Sequence, residues 1–418
     1  MTHLVVDLSQ AMHVVGSHVR LHGSSDANLV QRVRQAPNFV PTRKALSVAA
    51  GLDGGIILRP VEGLHWLSYA TSPRYQDDLL DLYMHWALVR YIGLFKRRND
   101  GSADSALAIS QPGQRIRGNQ RRVTSEEMGI GFGALLANHW FAQTGAAGLP
   151  IGIVDVDAAL GDRYIFAGGS RHPVRAVADR RPGYLLIAPD PTARRRYRVR
   201  ALECKGTRGT ASYAMQQLAS AVDQLAGISV GGRTPPGLAV STITANNQMS
   251  YLAIDPGEEE EPSYEVNSAT IEQAASFQLE DDVTDVPPAL LTNASVRASW
   301  ATLADFSGNL TALDRWAPAV MRRRLDRQQR RRVTFDTPFG TARGTSVTVG
   351  LDGQRLNVRY AIDQMIDQQM THSPEAIADA QFVFAERLRG SQSPAEETDS
   401  SSLYSATPDG SIFSLSLE

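Results

Sequence analysis

Apolar residues recur at helical spacing through Leu79, Leu82, Tyr83, Trp86, Val89, Ile92 and Phe95, which predicts a helix over residues 75–95. A polar, Gly-containing connection follows over 97–119. Thr124-Ser125-Glu126-Glu127 then reads as a capping box that opens a second helix running through Phe141. Short apolar runs predict strands over 151–156, 164–167, 184–188 and 197–202. A further helix is expected over Ala211–Ala226, with Met215, Leu218, Val222 and Leu225 on one face. The Gly- and Pro-rich stretch 227–237 reads as a loop, and two more strands follow over 238–245 and Met249–Ile254. This order predicts an α/β fold. Antiparallel strands joined by turns, then a crossover helix into a further strand, make a mixed sheet flanked by helices.

Around this centre the organisation is coarser. Residues 1–110 read as a mixed N-terminal region, 120–256 as the core and 257–288 as an acidic linker or loop. Residues 289–390 read as a helical and small β C-terminal region, and 391–418 as a mobile tail rich in Ser, Glu and Pro. Within the C-terminal region a helical stretch is expected over 296–332. Turns are expected at Gly340, Gly344 and Leu351-Asp352-Gly353, and a last helix over 373–389.

Composition narrows the function classes. No window of about 18 consecutive apolar residues occurs, so no membrane span is expected. The N-terminus lacks the basic start of a signal peptide. One cysteine, Cys204, permits neither an intramolecular disulfide nor a zinc ribbon, which makes the cytoplasm the expected location. There is no G-x-S-x-G elbow and no Walker A sequence. Gly129-x-Gly131-x-Gly133 lies inside a predicted helix with no strand before it, so close helix packing accounts for it better than a dinucleotide loop. A net charge of −2 gives no global attraction for nucleic acid, so local patches must carry any phosphate binding. Two arginine clusters qualify, one from Arg194 to Arg200 and one from Arg322 to Arg332, although both are equally open to being solvated faces.

The informative segment runs from Gly183 through Pro189-Asp190 to Glu203-Cys204-Lys205-Gly206. Side chains alternate faces along a strand, so Glu203 and Lys205 point the same way and Cys204 joins Leu202 on the other side. A carboxylate and an ammonium together at a strand end suit Mg²⁺, which takes one or two carboxylates, water and substrate phosphate. Such a metal polarises a scissile phosphate and lowers the pKa of its water. The lysine would orient that water or stabilise charge developing on phosphorus.

Pro189-Asp190 and Glu203-x-Lys205 resemble the motif of the PD-(D/E)XK, restriction-endonuclease-like nuclease superfamily, over about residues 120 to 256. The resemblance implies a restriction-endonuclease-like core and metal-dependent endonuclease activity on DNA with Mg²⁺ or Mn²⁺. It implies a setting in restriction, defence against phage, or repair, and pairing into homodimers or with a partner protein. It assigns Glu203 and an upstream aspartate to the metal and Lys205 to catalysis. It points to Gln216 or Gln217 in the following helix and to Glu127 in the preceding one.

One departure is visible in the sequence. A plain hairpin turning near residues 191–195 would set Glu203 opposite residues 180–184 and leave Asp190 on the order of 20 Å away, at about 3.3 Å per residue. Family members often carry Asp after Pro where this chain has Arg181-Pro182-Gly183. Either an irregular hairpin brings Asp190 in, or Asp179 takes its place, or the ligand set is incomplete. The rival function is a catalytically inactive nuclease-fold subunit that binds nucleic acid or serves as a scaffold. Blander accounts stand beside each residue: Glu203–Lys205 as a surface pair, Glu127 as capping-box acid, Asp190 as turn chemistry and Gln217 as a solvent-facing helix residue.

Overall fold

The computed structural model describes residues 7–41, 45–71, 91–99, 105–146, 148–156, 164–167, 170–173, 175–176, 182–229, 234–245, 248–256, 263–271, 288–317, 331–351, 353–391 and 401–418. The elements begin with α1 (Leu8–Gly16), β1 (Val19–Ser24), α2 (Ala27–Arg34), β2 (Ile56–Leu58), α3 (Pro60–Ala70), β3 (Phe95–Arg98) and β4 (Ala106–Ile109). The short α4 (Gln111–Gln114) precedes the long α5 (Gly118–Phe141) and β5 (Gly152–Asp155). Three short strands, β6 (Tyr164–Ala167), β7 (Ser170–Pro173) and β8 (Arg175–Ala176), lead to β9 (Tyr184–Asp190) and β10 (Ala193–Thr207). Then come α6 (Ala211–Ala226), β11 (Ile228–Ser229), β12 (Gly237–Thr244), β13 (Met249–Ile254) and β14 (Tyr264–Glu265).

The result is a mixed α/β fold. One sheet runs β3-β4-β1-β13-β12-β10-β9-β5, with β2 against β1 and β14 against β10. β10 is antiparallel to β9 and parallel to β12, so α6 is the crossover between parallel neighbours. β12 turns back into β13, and β13 lies parallel to β1. The N-terminal strands therefore extend the sheet that holds Glu203.

The two faces of β10 meet different partners. Ala201 packs with Leu218, Val222 and Leu225 of α6 and with Ala239 of β12. Leu202 belongs to the larger core, which contains Phe132, Leu136 and Trp140 of α5. Burying each such large apolar side chain stabilises the fold by about 2–3 kcal/mol. The three glycines of α5 are packing residues, as the sequence suggested. A Cβ on Gly129 would lie 2.7 Å from the Lys205 backbone, one on Gly131 2.5 Å from the Gly63 carbonyl of α3, and one on Gly133 2.4 Å from Cys204 Sγ.

The expected helix over 75–95 falls largely outside the described residues, and Phe95 opens β3 instead. The capping box is not a helix start. α5 begins at Gly118, and Thr124 and Ser125 bond back to the Gln120 and Arg121 carbonyls within it. The stretch expected as one helix over 296–332 divides into α7 (Pro288–Phe306) and α8 (Leu310–Trp316). Gly308 takes a φ of +70 between them, and the Asn309 side chain caps α8 by accepting from the Ala312 amide. Arg322 to Arg330 lie outside the described residues, as does the acidic run from Glu258 to Glu261.

A second sheet of five strands closes the chain: β15 (Val333–Thr337), β16 (Gly340–Leu351), β17 (Gln354–Asp363), β19 (Ser411–Leu417) and β18 (Ser402–Ala406), in that order. Helices α9 (Gln364–Gln369) and α10 (Pro374–Ser391) connect β17 to β18. The last residues are thus strands, not the mobile tail expected from their composition. Gly344 is no turn but lies within β16, where a Cβ would fall 2.0 Å from the Tyr360 carbonyl.

Candidate active site

Glu203 and Lys205 lie on the α6 face of β10, one residue apart, and form an ion pair of 2.6 Å. Cys204 points to the α5 face, where burial pushes its thiol well above the ordinary value. The alternation predicted from the sequence therefore holds. Glu203 is only 5 % exposed. Its second oxygen accepts the Gly183 amide at 2.6 Å, so both oxygens are engaged from within the chain. Burial pushes this carboxyl above its ordinary value, and Lys205 and the Gly183 amide pull the other way without cancelling it.

Lys205 connects this buried acid to an open pocket of about 450 Å³. Gly206, Tyr213, Gln216, Gln217 and Glu126 also line the pocket. Gln217 joins two strands: its amide donates to the Gly206 carbonyl at 3.4 Å, and its oxygen accepts from Ser241 Oγ at 3.3 Å. Asn38 closes one side by donating to the Gln216 carbonyl and to Ser220 Oγ, both at 2.7 Å. The Thr210 hydroxyl caps α6 on the Tyr213 amide and fixes where the helix leaves the strand.

The register of the β9–β10 pair removes Asp190 from this pocket. Leu202 pairs with Tyr184 and Pro189 with Tyr197, which sets Gly183 beside Glu203 and leaves Asp190 at the turn, on the order of 20 Å away. The irregularity in this hairpin lies between Ala193 and Tyr197, beyond the level that matters. Asp190 instead accepts from Thr192 N at 2.8 Å and Thr192 Oγ1 at 2.6 Å, and it pairs with Arg198 at 3.3 Å. Slight burial pushes its carboxyl up, but hydrogen bonds from Thr192, then Arg198 and Ser263, outweigh that and hold it below the usual carboxylate range. Asp179 lies outside the described residues.

Glu127 is also turned elsewhere, accepting from the Tyr91 hydroxyl. At 3.6 residues per turn, its neighbour Glu126 lies about 100° around α5 and reaches the pocket, where Arg122 pairs with it at 2.9 Å. The arginine face of β10 is not a phosphate track. Arg200 is 6 % exposed and lies over the rings of Trp140 and Phe141, 4.6 Å and 4.2 Å from their centres. Arg198 is taken by Asp190, and Arg196 donates to the Ser263 carbonyl.

Gly183 is the position that sequence reasoning could not evaluate. It meets Glu203 through its backbone, and a Cβ there would stand 3.5 Å from Glu203 Oε2, in ordinary contact. Among the described residues, no group of three His, Cys, Asp or Glu side chains is placed to hold a metal. Each Glu203 oxygen has a second lone pair beside its bond to Lys205 or Gly183, through which it could hold one hard divalent cation that takes its other oxygens from water and substrate phosphate. Also among the described residues, no helix is long and apolar enough to cross a membrane. No family model, curated protein or solved structure matches the chain significantly.

Proposed function

We propose that the chain is a Mg²⁺-dependent nuclease of restriction-endonuclease-like fold that hydrolyses DNA phosphodiesters in the cytoplasm. The observation that carries this reading is the Glu203–Lys205 pair, buried at its acid end and open to a pocket at its basic end. The strand order around β10 and the crossover helix behind it support the same reading. When bound, the cation supplies Lewis-acid polarisation of the phosphate and a more acidic water. Glu203 would hold it, and the Gly183 amide keeps that carboxylate oriented. Lys205 presents an ammonium to the pocket, where it would orient the attacking water or neutralise charge developing on the phosphate oxygens. Gln217 braces the end of β10 against β12. Restriction or defence against foreign DNA is the setting this activity suits, and pairing of two copies would let two sites act on two strands.

Gly183 favours one other reading, a nuclease-fold subunit that binds nucleic acid without cutting it, because no side chain joins Glu203 from that position. Cleavage of plasmid and single-stranded DNA with and without Mg²⁺ tests the proposal. Wild type should cut, and Glu203→Ala and Lys205→Ala should each lose at least about 100-fold. Equal rates in all three proteins would reject it. Under the binding-only reading, wild type binds DNA without cutting, and Gly183→Asp gains Mg²⁺ affinity by titration calorimetry.

A further inference from the structure

We propose that Arg117, Arg121 and Arg208 form a track for the phosphodiester backbone of DNA at the mouth of the Lys205 pocket. This rests on the nuclease reading for its destination and on independent geometry for its position.

Helix α5 crosses the end of β10 through residues spaced four apart. Gly129 packs on the Lys205 and Gly206 backbone, and the Ser125 carbonyl sits where a Cβ on Gly206 would be. Ser125 Oγ also meets Thr244 Oγ1 at 3.1 Å, at the end of β12. Continuing this row by one helical turn gives Arg121; Arg117 is the extended residue just before the helix, ahead of Gly118 at a φ of +57. Both are exposed. The row thus runs off the strand end where Arg208 emerges, just after Thr207. Arg208 is half-buried and is held by the Gly113 carbonyl of α4 at 3.2 Å. Burial, followed by repulsion from Arg121 and then Arg117, lowers its affinity for its own proton.

Arg121 and Arg117 both repel Arg208, on a chain with a net charge of −2. A polyanion crossing them would relieve that repulsion, and Arg is well suited to phosphate oxygens. Glu126, the nearby pocket acid, is paired with Arg122 on another face of the helix. Tyr213, at 51 % exposure, lines the pocket and offers a ring on which a base could stack. A backbone held at Arg117 and Arg121 and passing Arg208 would lead toward Lys205, three residues back along the chain from Arg208.

Fluorescence anisotropy with a labelled 30-nucleotide single strand and the matching duplex, in EDTA and across about 50 to 200 mM salt, tests the track. Wild type should bind with a steep salt dependence. Arg117→Gln/Arg121→Gln should bind at least about 10-fold more weakly and lose about 1–2 units of salt slope. Adding Arg208→Gln should remove about one unit more. Since Arg117 and Arg121 are exposed, the double variant should melt like wild type, which separates lost contacts from lost fold. Affinity unchanged in the double variant, or no DNA binding by wild type, overturns the proposal. If the track variants lose binding while Glu203→Ala still cleaves normally, the track stands and the nuclease centre falls. If cleavage needs Glu203 while the track variants bind normally, the centre stands and the track falls.

Discussion

Two regions of this molecule hold hydrogen-bonded acids and bases, and they differ in what is left free. At β10, Glu203 and Lys205 form a pair whose basic end opens into a pocket. Between α3 and the terminal hairpin, His65 sits with Ser405 Oγ 3.0 Å from Nδ1 and Ser411 Oγ 3.0 Å from Nε2. Close by, Asp409 accepts from Tyr69, Thr407 and the Ser411 amide. Residue types alone would make this second cluster the hydrolase site, with its serine, histidine and aspartate. Yet His65 and Ser411 are fully buried, His65 stacks against Phe306 and Phe413, and the Asp409 carboxylate is turned to Tyr69, Thr407 and the Ser411 amide. Each ring nitrogen has a single bonding position and both are occupied from within the fold, so nothing remains for a substrate, whereas each Glu203 oxygen keeps a second lone pair beside its bond to Lys205 or Gly183. The lesson is that access and unspent bonding capacity separate a reactive site from a structural one. The His65 cluster is better understood as the polar joint that fixes β18 and β19 to α3.

If this contrast is right, the largest loss of stability should come from the closed cluster. His65→Ala removes two buried hydrogen bonds and leaves a cavity, and it should cost about 3–4 kcal/mol by denaturant unfolding. A loss below about 1 kcal/mol would mean that the joint is dispensable. The same residue sets a pH response. Burial lowers its pKa from 6.5 to about 3, so it stays neutral in the fold but takes up a proton when unfolded. Stability from this group is complete above pH 6.5 and falls as pH drops toward 3, by about 3 kcal/mol at pH 4. Replacing His65 with Gln should flatten unfolding free energy against pH over that window, and an unchanged slope would contradict the assignment. A smaller effect is expected where the fold supports the open site. Gly129→Ala forces a methyl against the Lys205 backbone and should cost about 2 kcal/mol. It should also slow cleavage by displacing Lys205, and cleavage unaffected by the change would show that the strand end tolerates movement.

How much of this was legible beforehand follows from where the information lies. The crossover helix Ala211–Ala226 and the strand Met249–Ile254 were placed to the residue, because their apolar spacing is uninterrupted and turn residues bound them. The shared face of Glu203 and Lys205 needed only the two-residue period of a strand. The start of α5 was hidden, since its first residues, 118–123, are exposed and carry no apolar rhythm. The terminal strands were hidden by serine, although the alternation in Phe413-Ser414-Leu415-Ser416-Leu417 was there to be read. The choice of Glu127 over Glu126 was a question of helix phase, which the glycine face at Gly129 and Gly133 could have settled. The Gly183 contact is made by a backbone amide, so no side chain advertised it.

The most direct measurement is Mg²⁺-dependent nicking of supercoiled plasmid by wild type and by Glu203→Gln, which keeps an oxygen for the Gly183 amide while removing the charge. The account predicts that wild type nicks and that the variant, equally folded by its melting curve, loses at least about 100-fold. Nicking by Glu203→Gln at the wild-type rate would contradict it.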